Sequence, residues 1–179
     1  MSNFLTRNGP WAQLVDRGEI SLEVLQPGHP IVLARDPETN LPDLTITAFS
    51  VPHRDEFSDN VGYRVEGPTK SVLYIPDIDK WERFETPIEE LIAGVDVALL
   101  DGTFFSDGEI PGRSMSDIPH PFSEEGLARL SDLPPEQRAK VLFTHLNHTN
   151  PAADPHSEAA KRVRAAGMAV AREGLVIRL

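Results

Sequence analysis

The sequence predicts an α/β fold in a single domain spanning residues 1–179, and three observations point to it. Strand-like and helix-like segments alternate through the second half of the chain, the pattern of an α/β sheet. Sixteen prolines and twelve glycines cut the 179 residues into short elements, with no internal repeat and no low-complexity linker. The length suffices for one domain with a real core, or for a large piece of a bigger one.

Taken in order, Asn8-Gly9-Pro10 reads as a turn before a short helical stretch, Trp11–Asp16. Ile31–Ala34 and Leu44–Val51 read as strands, the second alternating as LTITAFSV so that apolar residues fall on one face. Val61–Glu66 (VGYRVE) and Val72–Ile75 (VLYI) continue the β-rich half through Gly67-Pro68. Thr86 before Pro87, with Glu89 and Glu90 in the first turn, is a good N-cap signal for a helix over Ile88–Ala93. Val95–Leu100 is a short buried strand. Ser123-Glu124-Glu125 opens a helix to about Leu130, and Pro134-Pro135-Glu136 opens another. Val141–Phe143 is a strand and Ser157–Ala166 a helix closed by Gly167. Two terminal strands follow, Met168–Ala171 and Leu175–Ile177.

Composition narrows the function. The chain is 40% hydrophobic with a mean hydropathy of −0.28, ordinary for a globular protein. Seventeen Lys and Arg against 28 Asp and Glu give a net charge of −11. That balance argues against a broad nucleic-acid or anionic-membrane surface, since both need clustered positive charge. With no cysteine, disulfides, thiolate zinc sites and Cys nucleophiles are impossible, and the composition fits a reducing cytoplasm. No apolar run approaches the roughly 20 residues of a membrane span, and MSNFLTRNGPWAQLV lacks the layout of a signal peptide.

The polar residues that stand out each follow an apolar strand. Val51-Pro52-His53 follows the first long strand, and Pro76-Asp77-Ile78-Asp79 follows VLYI. Asp101-Gly102-Thr103 follows VDVALL; His145 and His148, in FTHLNHTNP, follow VLF. Loops at strand ends form the ligand crevice of α/β sheets, so four of them on one edge would converge on one site. Imidazoles and carboxylates without thiolates suit Zn, Fe or Mn. Each piece also has a plainer reading. His53 could pair at the surface with Asp55 or Glu56, Asp77 and Asp101 could cap turns, and His120 between prolines could be a rigid turn residue. His29 and His156 lie in polar loops and are assigned to solvent. A lone His-x-x-His is weakly specific; repetition at strand ends is what favours a site.

The ordered set VPHRDEFSDNVGYRVEGP, LYIPDIDKWE, VDVALLDGTFF, MSDIPHPF and FTHLNHTNP resembles the PqqB family of metallo-β-lactamase-fold proteins. The likeness runs from about Asn8 to the C-terminus. It implies a four-layer αβ/βα sandwich with a metal site on one edge. It also implies a His-x-His-x-Asp-His cluster ahead of the later ligands, and no His-x-His occurs in these 179 residues. The chain is therefore expected to be the C-terminal portion of a longer domain, incomplete at its N-terminus. By the resemblance, His53 and His145 match histidine ligands and Asp77 the bridging aspartate. His148 stands behind the ligands or faces substrate. Asp101, Thr103 and His120 match positions near the metals.

Three functions follow from the resemblance. The first is a hydrolase using Zn or Fe, one or two ions, to attack an ester, lactone or phosphodiester, with Asp101 or His120 steering protons. The second is a role in pyrroloquinoline quinone biosynthesis, with a non-haem iron hydroxylating a peptide-derived, tyrosine-based precursor. The third is a non-catalytic fragment whose open sheet face drives self-association.

Overall fold

Side-chain alternation along the central strands sets the layers of the molecule. The computed structural model describes residues 2–33, 43–54, 56, 59–112, 114–115 and 118–179. Helices α1 (Ser2–Arg7) and α2 (Gly9–Asp16) precede a seven-stranded sheet whose order follows the sequence. The strands are β1 (Pro30–Leu33), β2 (Leu44–Ser50), β3 (Val61–Glu66), β4 (Ser71–Ile75), β5 (Val97–Asp101), β6 (Val141–Thr144) and β7 (Ala169–Val170). β1 to β4 form an antiparallel meander and β4 to β7 run parallel. Parallel neighbours need crossovers, and helices supply them. They are α3 (Ile88–Ala93), then α4 (Ser123–Arg129) with α5 (Pro135–Arg138), then α6 (Glu158–Ala165).

Leu73 and Ile75, Ala98 and Leu100, and Val141 and Phe143 alternate onto one face and are buried there. They share a core with Ile88 and Ile92 of α3, Leu130 at the end of α4 and Val163 of α6. The other face carries Ile46, Tyr63, Val65, Val72, Tyr74 and Leu99 around an open apolar hollow. Of the sandwich that the resemblance implies, the described residues form one sheet and the helix layer upon it.

Several element boundaries differ from the sequence reading. The ladder of β5 starts at Val97, because the Asp96 carboxylate accepts from the Ser71 amide and hydroxyl and turns the chain into the sheet. Val95 is buried in the helix-side core instead. Thr86 does not cap α3: Pro87 occupies the cap position, and no side chain accepts a bond there. Leu175–Ile177 is not a strand. After Gly174, at φ +83°, the tail turns onto the open face, where Ile177 and Leu179 line the hollow. Ala34, the last residue of the first expected strand, lies outside the described residues.

The mixed topology puts the informative loops together. One lateral row of the sheet runs Ala48, Tyr63, Tyr74, Leu99, Leu142. β2, β4, β5 and β6 cross that row in the same direction, so the loops after all four emerge at one edge. The open apolar hollow has a separate consequence. The chain is expected to self-associate with rising concentration, and Tyr74→Lys with Leu99→Asp is expected to suppress it in sedimentation velocity. A wild-type chain that stays monomeric across the accessible range would refute this.

Candidate metal centre

The loop after β2 brings His53 back toward the loop after β4, and a backbone bond from the Asp79 amide to the Pro52 carbonyl (2.7 Å) ties the two. A carboxylate only accepts hydrogen bonds, so Nδ1 of His53, 3.0 Å from Asp79 Oδ1, carries the proton. Nε2 is then the nitrogen that carries no hydrogen, and it faces Asp77 Oδ1 at 3.4 Å. Asp79 is 2% exposed and is also paired with the Arg83 guanidinium. Glu56 pairs with Arg54 at 2.7 Å, whereas the ring nitrogens of His53 face Asp79 and Asp77. Asp55, the other candidate surface partner of His53, lies outside the described residues.

Asp101 ends β5 with its side chain fully buried. Its Oδ1 accepts from the Thr103 amide (2.8 Å) and hydroxyl (2.7 Å). Its Oδ2 accepts from the Ile78 amide (3.1 Å) and from Nδ1 of His120 (2.8 Å). Four donors fill the carboxylate's capacity. The strand end is tightly packed as well: a Cβ on Gly102 would lie 2.8 Å from Phe143 Cβ and 3.2 Å from the Thr144 carbonyl.

His120 lies between the other two imidazoles, 5.0 Å from the His53 ring and 6.1 Å from that of His145. Its segment is fixed by Lys80, which pairs with Glu125 (2.5 Å) and sits 3.7 Å over the Phe122 ring. His145 follows β6 at φ +60°, a left-handed backbone that costs a non-glycine residue about 1–2 kcal/mol. Strain of this kind concentrates where a side chain must be aimed. Its Nδ1 lies 2.9 Å from the Thr103 hydroxyl. Asp77, Asp101, His120 and His145 can each bring a donor atom within 4.8 Å of the others; His53 stands beside this group, tied to it through Asp77.

The remaining candidates fall elsewhere. His148 is exposed and makes no hydrogen bond among the described residues, and His29 and His156 are exposed too. Asp79 was visible in YIPDID but had no assigned role, since its partner lies 26 residues away in sequence. Glu109 and Asn150 carried no signal at all. Glu109 accepts from the Phe105 amide and the Thr149 hydroxyl, and Asn150 donates to the Gly102 carbonyl and caps the turn at Ala152.

A divalent metal fits these donors on one direct observation. Asp77 Oδ1 is shielded from solvent and accepts no hydrogen bond, yet it faces His53 Nε2 and, at 3.5 Å, His120. A buried carboxylate oxygen without a donor is met by an ordered water or an ion, and with imidazoles facing it a divalent cation suits the place.

Two expectations follow. Burial disfavours the His120 imidazolium, but the hydrogen bond and charge of Asp101, with the charges of Asp77 and Asp79, outweigh it and hold the group above 6.5. A raised folded-state value contributes stability that is complete below the unfolded value and lost as pH rises through the folded one. The metal-free chain is therefore expected to lose urea resistance as pH climbs from about 6.5, and His120→Asn to flatten that slope. Equal slopes would refute the pairing. Gly102→Ala is expected to lower the stability by about 1–3 kcal/mol through overpacking against Phe143, read as a lower denaturation midpoint.

Comparison with known proteins identifies the family. Residues 2–171 match a family model described as the beta-lactamase superfamily domain. Coenzyme PQQ synthesis protein B of Methylobacterium nodulans is 28% identical over 94% of this chain and 57% of its own length. That of Pseudomonas fluorescens is 35% identical over 70% of the chain and 44% of its own length. A zinc-bound crystal structure of PqqB from Methylobacterium extorquens superposes with a TM-score of 0.64 at 26% identity, over 88% of this chain and 52% of that one. The metallo-beta-lactamase fold protein YhfI from Bacillus subtilis shares the fold, with a TM-score of 0.56 at 16% identity, over 93% of this chain and 62% of that one. The chain spans about half the length of the curated relatives it matches. With a family match over nearly all its residues and a shared fold, the chain belongs to the beta-lactamase superfamily domain family, as a PqqB-like member with the metallo-β-lactamase fold.

Proposed function

We propose that this chain is a metal-dependent hydrolase in which His53, Asp77 and His145 hold a divalent ion and His120 carries the proton. The observation that supports it is the donorless, buried Oδ1 of Asp77 facing the His53 nitrogen. An ion held there supplies Lewis acidity and acidifies water toward neutral pH. His120 commits Nδ1 to Asp101 and keeps Nε2 to take up and return a proton. Asp101 favours the resulting imidazolium and holds the ring's orientation, with no lone pair left for a metal. Imidazole and carboxylate suit Zn and Fe alike, as one ion or two. The substrate class is an ester, lactone or phosphodiester, and the absence of cysteine fits a reducing cytoplasm as its location.

A second reading rests on the names of the relatives, coenzyme PQQ synthesis protein B. In it the same donors would hold iron and serve the oxidation of a tyrosine-derived precursor in pyrroloquinoline quinone biosynthesis. Oxygen separates the two readings: turnover that persists anaerobically with zinc excludes the oxygenase.

Zinc titration followed by calorimetry tests the site itself. Stoichiometric binding is expected, abolished by His145→Ala and by Asp77→Ala, and unchanged by His148→Ala because that ring makes no hydrogen bond among the described residues and lies outside the donor group around Asp77. His120→Asn is expected to keep the metal and lower turnover by about 10²–10⁴-fold, the range of a lost proton carrier. A wild-type chain that binds no zinc or iron would leave the non-catalytic reading standing.

A further inference from the structure

We propose that Thr103 is a positioning residue that relays the Asp101 carboxylate to His145, so that one buried carboxylate fixes the ring tautomer of two imidazoles. The inference rests on the metal-site reading only for its affinity arm; the tautomer itself is a property of the chain.

Counting hydrogens carries it. The Thr103 hydroxyl has one hydrogen and three polar neighbours, Asp101 Oδ1 at 2.7 Å, His145 Nδ1 at 2.9 Å and, more distant at 3.3 Å, a His120 Nδ1 whose proton is already given to Asp101 Oδ2. Were the hydrogen given to His145, the hydroxyl oxygen would face a carboxylate oxygen at 2.7 Å with nothing between them. Neither group can move aside. The Thr103 amide pins the same Oδ1 at 2.8 Å, and Asp101 is wholly buried. The Thr103 carbonyl is in turn held by the Asn147 amide at 2.9 Å, and the Gly102 carbonyl by Asn150 at 2.7 Å. The hydroxyl therefore donates to Asp101, and its oxygen accepts from Nδ1–H of His145. His145 is left with Nε2 as its lone-pair nitrogen.

His120 reaches the same tautomer by direct donation to Asp101 Oδ2 at 2.8 Å, and its 3.3 Å approach to the Thr103 hydroxyl is the weaker contact. His53 reaches it through a different carboxylate, Asp79. All three rings thus spend Nδ1 on the protein and retain Nε2. A single tautomer matters because a metal takes the unprotonated nitrogen, and the bond at the other nitrogen decides which one that is.

The test compares the wild type with Thr103→Val, which removes the hydroxyl at nearly constant shape, and with Thr103→Ser, which keeps it. Imidazole ¹⁵N spectra of the metal-free chain, at a pH where the histidines are neutral, read the tautomer of each ring. The wild type is expected to show His145 as the Nδ1–H form. Thr103→Val should shift His145 toward Nε2–H while His53 stays unchanged, and Thr103→Ser should restore the wild-type pattern. Zinc affinity should fall about 10–100-fold in the valine variant and return in the serine variant. Two results would overturn the relay: a His145 ring in the Nε2–H form in the wild type, which needs no variant to fold, or a tautomer indifferent to Thr103→Val. If the tautomer responds as stated but no protein binds zinc, the relay stands and the metal-site reading fails.

Discussion

Asp101 reaches the end of β5 with no access to water, so its charge has to be met by the protein. Two amides, a hydroxyl and an imidazole meet it, and they come from two connections, the loop after β4 and both ends of the long segment between β5 and α4. The Ile78 amide belongs to the loop after β4, Thr103 to the loop after β5, and His120 to the segment before α4. Through the Thr103 hydroxyl the loop after β6 joins as well. A buried carboxylate stripped of such partners is strongly destabilising, by several kcal/mol in general. The loops are thereby bound to a common arrangement: moving one leaves the charge short of a donor.

The polar run His145–Asn150 makes physical sense in that setting. His145 takes a left-handed backbone that its side chain alone would not select. The residues after it supply the restraint. The Asn147 amide bonds to the Thr103 carbonyl, and its side chain donates to Thr149, which donates to Glu109. Asn150, 2% exposed, bridges the Gly102 carbonyl and the Ala152 amide. The Asn and Thr residues around the histidine are a frame that holds a strained ring in place.

Much of the fold was legible because it depends on local pattern. Alternation located β2, short apolar runs located β3 to β6, and the rhythm of strand and helix gave the parallel half. Of the residues that gather at the edge, His53, Asp77, Asp101 and His145 were found because each follows an apolar run, whereas His120, set between prolines, gained its place only through the family resemblance. What escaped depends on contacts distant in sequence. Asp79 gains its role only when His53 folds onto it, and Glu109 only when Thr149 arrives. The tail Leu175–Ile177 has strand composition, but an apolar surface competes with a ladder edge for it, and no window of sequence shows that surface. His148 shares the pattern of His145, yet only one of the two falls on the side of the turn that faces Thr103.

That tail has a practical side. Leu179 lies where a Cβ on Gly67 would stand, with its backbone carbonyl carbon 2.8 Å from that point. The last residue of the chain is thus seated against the β3–β4 turn, with no room between them. An affinity tag fused behind Leu179 would have to thread out of this contact, and its linker would compete for the apolar hollow that Ile177 and Leu179 help line. Preparations carrying the tag ahead of Ser2, on the exposed face of α1, would leave that seat intact and give the truer account of how the open sheet face behaves.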